Sequence, residues 1–155
     1  MKPIEWGILA VPAVICFTAS AICPIGKSAG QSLSFRPPAW VFGLVWTKLF
    51  LAIGYSAVLT RRNYKSELPM LAYGILIGLL CAWIITYGCC KNKRVSVWIL
   101  LKTLTMAIVC LVIARDLVAR LLLVPLITWV AFALLMNAIE VQWASLKKTT
   151  CTIVK

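Results

Sequence analysis

A chain of 155 residues that is 63% hydrophobic, with a mean hydropathy of +0.97, lies well above the roughly 45–50% apolar content of soluble domains, so a single-domain integral membrane protein is expected. Its net charge of +12 does not point to nucleic acid, because the basic residues fall in short clusters between apolar runs, as they do where loops meet lipid headgroups. Seven cysteines with no histidine show no zinc-ligand spacing, and no metal site is expected.

Five apolar segments, Trp6–Cys23, Ala39–Thr60, Leu68–Cys90, Val95–Ala114 and Leu117–Trp143, are each near or above the roughly 20 residues a helical crossing needs. With no water to satisfy backbone groups in hydrocarbon, these must be helices. The expected fold is all-α, a bundle of five transmembrane helices forming one domain over residues 1–155. The first segment imitates a secretory signal: Lys2, an apolar run and then Ala19-Ser20-Ala21 resemble a signal with its small-residue cleavage site. Pro12 and the length of the run fit a retained crossing better.

The connection Pro24–Pro38 is the longest. Its Gly26-Lys27-Ser28 imitates a phosphate-binding loop, but Ala21 stands where the earlier glycine is required. Gly30, Ser32 and Ser34 make the connection flexible and Phe35 with Pro37-Pro38 stiffens its end, as a lid over the bundle's mouth requires. The prolines also mark a helix start, since neither has an N–H to donate within a helix. The other connections, Arg61–Glu67, Lys91–Arg94 and Arg115-Asp116, are short and make sequential helices antiparallel neighbours. Lysine and arginine number six on the N-terminal side and eight on the loop-1 side, a slight lean toward a cytosolic C-terminus.

Lys48 and Lys102 are charges within the spans, which marks them as functional candidates. Both lie some 10–15 Å from the loop-1 face at 1.5 Å per residue, close enough to share a cavity; the alternative is snorkelling of each ammonium to the interface. Glu140, near that face, is a candidate partner for either. Of the seven tryptophans, Trp6, Trp98 and Trp143 sit near span ends as interfacial belt residues, and Trp40 at a helix start fits the same role. Trp46 and Trp129 lie deep within spans, where an indole N–H needs a partner and a flat ring suits a flat ligand; helix packing is the alternative. Cys16, Cys81 and Cys110 lie in apolar runs and are expected to act as small hydrophobes. Cys89 and Cys90 end a span where palmitoylation occurs, an ordinary interfacial role being the simpler reading. Gly74 and Gly78 form a small-x-x-x-small pair suited to a homodimer face. Val141-Gln142-Trp143-Ala144-Ser145-Leu146-Lys147 approximates a cholesterol-recognition pattern with Trp for Tyr, giving Val141, Trp143 and Lys147 as candidate sterol contacts.

Two blocks resemble the signature of the TspO/MBR family, the tryptophan-rich sensory or translocator proteins. In Phe35–Gly54, the residues Pro37, Pro38, Trp40, Phe42, Val45, Trp46, Thr47, Leu49 and Gly54 stand as in the family's pattern, while Phe35 replaces Trp and Phe50 replaces Tyr. Ala119-Arg120-Leu121-Leu122, then Pro125, Trp129, Phe132 and Asn137, resembles the second block in spacing. The resemblance implies a five-helix bundle that needs no cofactor and binds protoporphyrin IX or haem, and in some members cholesterol or benzodiazepine-type ligands, under loop 1. It implies ligand contacts at Phe35, Pro37, Pro38, Trp40, Phe42, Trp46, Lys48, Leu49, Phe50, Trp83, Lys102, Pro125, Leu126, Trp129, Phe132 and Asn137. In some bacterial members the tryptophans matching Trp46 and Trp129 serve light-dependent porphyrin degradation, which would make them catalytic here. The third span lacks the family's Asn and Pro around Trp83, Leu126 replaces a Tyr, and Lys102 stands where the family has Asp. These changes remove polar partners for drug ligands and add positive charge, so the propionates of a porphyrin are expected to pair with Lys48 or Lys102. Three functions follow: porphyrin or sterol binding, photochemical porphyrin degradation, and transport, which the span lysines alone support. The mitochondrial outer membrane, the endoplasmic reticulum and a bacterial envelope fit the sequence equally.

Overall fold

The computed structural model describes residues 2–25, 37–64 and 66–153, with side chains described as far as Gln142 except that of Ala39. Among the described residues the chain forms five helices and no strand: α1 (Pro3–Ile22), α2 (Ala39–Asn63), α3 (Leu68–Gly88), α4 (Lys93–Ile113) and α5 (Leu117–Ile153). All five contain a stretch long and apolar enough to cross a membrane. The protein is therefore an all-α, multi-pass integral membrane protein.

The helix ends follow from local chemistry. α1 begins at Pro3, ahead of its apolar run, because a proline in the first turn forfeits no helical hydrogen bond. The Glu5 carboxylate also accepts the Lys2 backbone N–H at 2.8 Å. Pro38 is the N-cap of α2, as the paired prolines predict. Asn92 caps α4 by accepting the Val95 N–H, and Asp116 caps α5 by accepting the N–H groups of Val118 and Ala119. α5 runs past the expected end at Trp143 to Ile153. After Pro125 it holds neither Gly nor Pro to stop it, so loss of apolar character alone does not end the helix.

The helices close into a ring, α1 against α2, α2 against α5, α5 against α4, α4 against α3 and α3 back against α1, with a further α2–α3 contact. Short connections do make α3–α4 and α4–α5 neighbours, whereas α2 and α3 meet less extensively than either. Gly54 is needed for the α1–α2 contact, since a Cβ there would run into the backbone carbonyl of Leu9. Apolar side chains such as Val14, Leu71, Val112 and Leu121 are exposed on the outside of the ring, the distribution that lipid contact permits.

The N-terminal-side end of the bundle is closed by satisfied polar groups. The hydroxyl of buried Tyr73 lies 2.7 Å from Ser56 Oγ and 3.1 Å from Thr60 Oγ1. Ser56 Oγ also reaches the Ala119 carbonyl at 2.9 Å. Tyr64 donates to the Ile113 carbonyl, and Arg62 forms a bidentate pair with Glu5, both contacts being 2.8 Å. These bonds join α1, α2, α3, α4 and α5 at that face.

At the loop-1 face the join between α1 and α3 is covalent. Cys23 and Cys89 form a disulfide, which corrects the palmitoylation candidate at Cys89; Cys16, Cys81 and Cys110, expected to act as small hydrophobes, are free thiols. Gly88 permits the approach, because a Cβ there would meet the Cys23 carbonyl. Deeper on the same seam, Cys16 and Cys81 remain thiols with their Sγ atoms 3.3 Å apart.

Candidate functional site

The loop-1 half of the bundle is built from rings. Phe42, Trp46 and Phe50 recur at four-residue spacing and so share one face of α2. Trp46 stacks on Phe50 with centroids 5.4 Å apart and meets Trp83 of α3 at 5.7 Å. Phe50 is met edge-on by Phe17 of α1 at 5.5 Å. Trp83 continues to Tyr87 at 5.8 Å. From the other side of the same α2 face, Phe42 meets Trp129 of α5 at 5.6 Å, and Trp129 lies 5.6 Å from Phe132. The aromatic face of α2 thus gathers rings from α1, α3 and α5.

This cluster contains unpaired polar atoms. Among the described residues, the indole N–H groups of Trp83 and Trp129 are buried without a hydrogen-bond partner, and so is Oδ1 of Asn137. Asn137 commits its amide N–H to the Ala133 carbonyl at 2.9 Å, which leaves the oxygen free to accept. Each such group costs about 1–3 kcal/mol relative to a satisfied one. Two donors and one acceptor are therefore held ready among apolar rings, the arrangement expected of a ligand site.

A polar frame surrounds the rings. Glu140 of α5 is 4% exposed. It accepts from the Tyr87 hydroxyl at 2.7 Å and from Lys93 Nζ at 3.1 Å, so α3, α4 and α5 are joined at the rim. With the Cys23–Cys89 bridge, α1, α3, α4 and α5 are each tied to another helix at this face.

The site residues expected from the sequence are placed as follows. Phe42, Trp46, Phe50, Trp83, Trp129 and Phe132 belong to the cluster, Asn137 is buried on α5 about two turns beyond Trp129, and Leu49 is buried in the adjoining core. Leu126 is fully buried, and Trp40 is 70% exposed, as a belt residue would be. Pro37 is half-buried while Pro38 and Pro125 are exposed. Lys48 and Lys102 are both exposed, unlike the buried rings. Long exposed stems of this kind leave each ammonium room to reach the interface. Glu140 correspondingly pairs with Lys93 and with neither of them.

Val141 is half-buried, and Gly74 and Gly78 lie exposed on α3 with open space beside them. Phe35, the lid and Gly26-Lys27-Ser28 lie outside the described residues, as do the side chains of Trp143 and Lys147. Sequence reasoning missed Phe17, Tyr87 and the role of Lys93. Tyr87 was findable, because it stands one turn beyond Trp83 on α3; Lys93 was hidden in a basic loop run.

A family model described as the TspO/MBR family matches residues 8–143. A comparison with curated proteins found no match. The matched region takes in about three quarters of α1 and every ring of the cluster described above.

Proposed function

The chain belongs to the TspO/MBR family, and on that premise we propose that it binds a tetrapyrrole within the aromatic loop-1 half of its bundle. Protoporphyrin IX is the first candidate and haem the second, since a chain without histidine offers no imidazole to the iron. The observation that carries the reading is the pair of buried, partnerless indole N–H groups of Trp83 and Trp129 inside a cluster of flat side chains. A flat macrocycle offers stacking area to the rings, and its polar edge offers acceptors to the indoles. The bilayer supplies such a guest by partitioning, and cholesterol is a second apolar guest whose contacts would include Val141, Trp143 and Lys147. The open α3 face at Gly74 and Gly78 suits a homodimer.

The test is tryptophan fluorescence quenching of the purified protein in lipid nanodiscs by protoporphyrin IX and, separately, by cholesterol competition. Saturable quenching that weakens in Trp129→Phe supports the reading; linear, unsaturable quenching removes it. The degradative reading is separated by illumination. A new pigment product that requires both Trp46 and Trp129 would make this protein an enzyme, while unaltered bound pigment keeps it a binding protein.

The Cys23–Cys89 bridge bears on orientation. Disulfides persist in oxidising compartments and are rare in the cytosol, whereas eight basic residues against six is a small bias. The bridge outweighs the count, so the proposed orientation has the loop-1 face, and the C-terminus with it, on an oxidising side. Cleavage of the bridge by a membrane-impermeant phosphine added outside sealed cells or vesicles of known polarity, read by thiol labelling, decides the matter.

A further inference from the structure

Lys93 opens α4 with its side chain 44% exposed, and its Nζ stands 3.1 Å from the Glu140 carboxylate. An ammonium has three donors, and among the described residues this one meets a single acceptor. Glu140 is also held by the Tyr87 hydroxyl. The Tyr87 ring lies against Trp83 and Trp83 against Trp46. An unbroken line of contacts therefore leads from a half-exposed cation at the rim to the indoles inside. Lys91 and Arg94, both exposed, lie beside Lys93 in the chain, so this connection carries three cations, of which Lys93 meets the buried carboxylate, and its field favours an anion. The two lysines within the spans, by contrast, are on the outer surface.

From this geometry we infer that Lys93 is the anchor for a carboxylate borne by a planar aromatic ligand, whose ring enters the cluster while its acid group stays at the rim. In the free protein Glu140, itself held by the Tyr87 hydroxyl, keeps the ammonium at the rim; in the complex its spare donors turn to the ligand. This rests on the reading of the aromatic cluster as a ligand site and specifies which guests it prefers, flat hydrophobic acids over their neutral esters. The same anionic chemistry is offered by an acidic lipid headgroup, and the test separates the two.

The experiment compares protoporphyrin IX with its dimethyl ester, by tryptophan quenching, on the full chain in zwitterionic nanodiscs. Because removing Lys93 alone strands the buried Glu140 carboxylate, the variants are Lys93→Gln combined with Glu140→Gln, the conservative Lys93→Arg, and Lys48→Gln combined with Lys102→Gln. The expected result is tighter binding of the diacid than of the ester, lost by about tenfold in the Lys93/Glu140 double variant, the scale of one charge-assisted hydrogen bond. Ester binding stays unchanged, Lys93→Arg retains the preference, and the Lys48/Lys102 double variant behaves as wild type. Equal affinity for acid and ester in the wild type, or a preference that survives loss of Lys93, overturns the inference while leaving the ligand site standing. Failure of both porphyrins to bind overturns it together with the reading beneath it. A diacid preference abolished by adding phosphatidylglycerol assigns Lys93 to a lipid headgroup and also overturns it; persistence in phosphatidylglycerol supports the free acid as its partner.

Discussion

The two ends of the bundle solve the same problem in opposite ways. At the N-terminal-side end the interior polar groups find one another: Tyr73, Ser56 and Thr60 form a closed hydrogen-bonded knot that reaches the backbone of α5. At the loop-1 end the interior groups are left single, with two indole N–H groups and one amide oxygen unpaired among rings, while the fastening is moved to the perimeter in the Cys23–Cys89 bridge and the Lys93–Glu140–Tyr87 cluster. A satisfied interior stabilises; an unsatisfied interior inside a firm frame is what the proposed ligand site draws on. Strain of this kind persists where the surrounding structure holds it, and it concentrates at functional sites.

The sharpest way to break the contrast is to cut the frame. Cys23→Ser with Cys89→Ser removes a bridge across a sequence separation of 66 residues, and a loss of about 3 kcal/mol in thermal or denaturant stability is expected. Wild-type protein treated with a reductant should melt as the double variant does; an unchanged melting curve would show that the bridge is idle. Next in size is ligand affinity at the open end. Trp83→Phe or Trp129→Phe should weaken porphyrin binding by about tenfold, one hydrogen-bond's worth, yet leave the apo protein equally or more stable because an unpaired N–H disappears. A stability loss without an affinity loss would assign these indoles to packing.

Tyr73→Phe should do the reverse. Removing its hydroxyl unsettles Ser56 and Thr60 and lowers stability by about 1 kcal/mol, within the range measured for hydrogen bonds between membrane helices, with porphyrin affinity unchanged in the same quenching assay. The smallest effect belongs to the outer surface: Lys48→Gln and Lys102→Gln should each shift melting by less than about 0.5 kcal/mol and leave binding alone. A larger shift in affinity from either would return these lysines to the site.

Most of the fold was legible because lipid imposes a strict rule on apolar length, and the paired prolines, the short loops and the depth of each tryptophan then followed from spacing. The rings at Phe42, Trp46 and Phe50 were legible as one helix face. What did not follow was the direction in which long side chains point. Lys48 and Lys102 lie at the right depth for a shared cavity, but depth along a helix says nothing of rotation about it, and both face outward. The partner of Glu140 was missed for a different reason, since Lys93 precedes the apolar run and was counted with the loop charges. Nor does sequence give disulfide pairing in a bundle, where helix order around the ring decides that Cys23 meets Cys89. The continuation of α5 beyond Trp143 was hidden because apolar periodicity marks where lipid ends, and the helix does not end there.

The most direct measurement of the central claim follows the indole N–H resonances of the seven tryptophans by NMR in nanodiscs as protoporphyrin IX is added. The Trp83 and Trp129 resonances should shift most and exchange more slowly with water, while those of exposed Trp6 and Trp98 stay in place. Shifts confined to Trp6 and Trp98, with Trp83 and Trp129 unmoved at saturating porphyrin, would mean that the pigment meets only the outside of the bundle and that the unpaired indoles do not await a ligand.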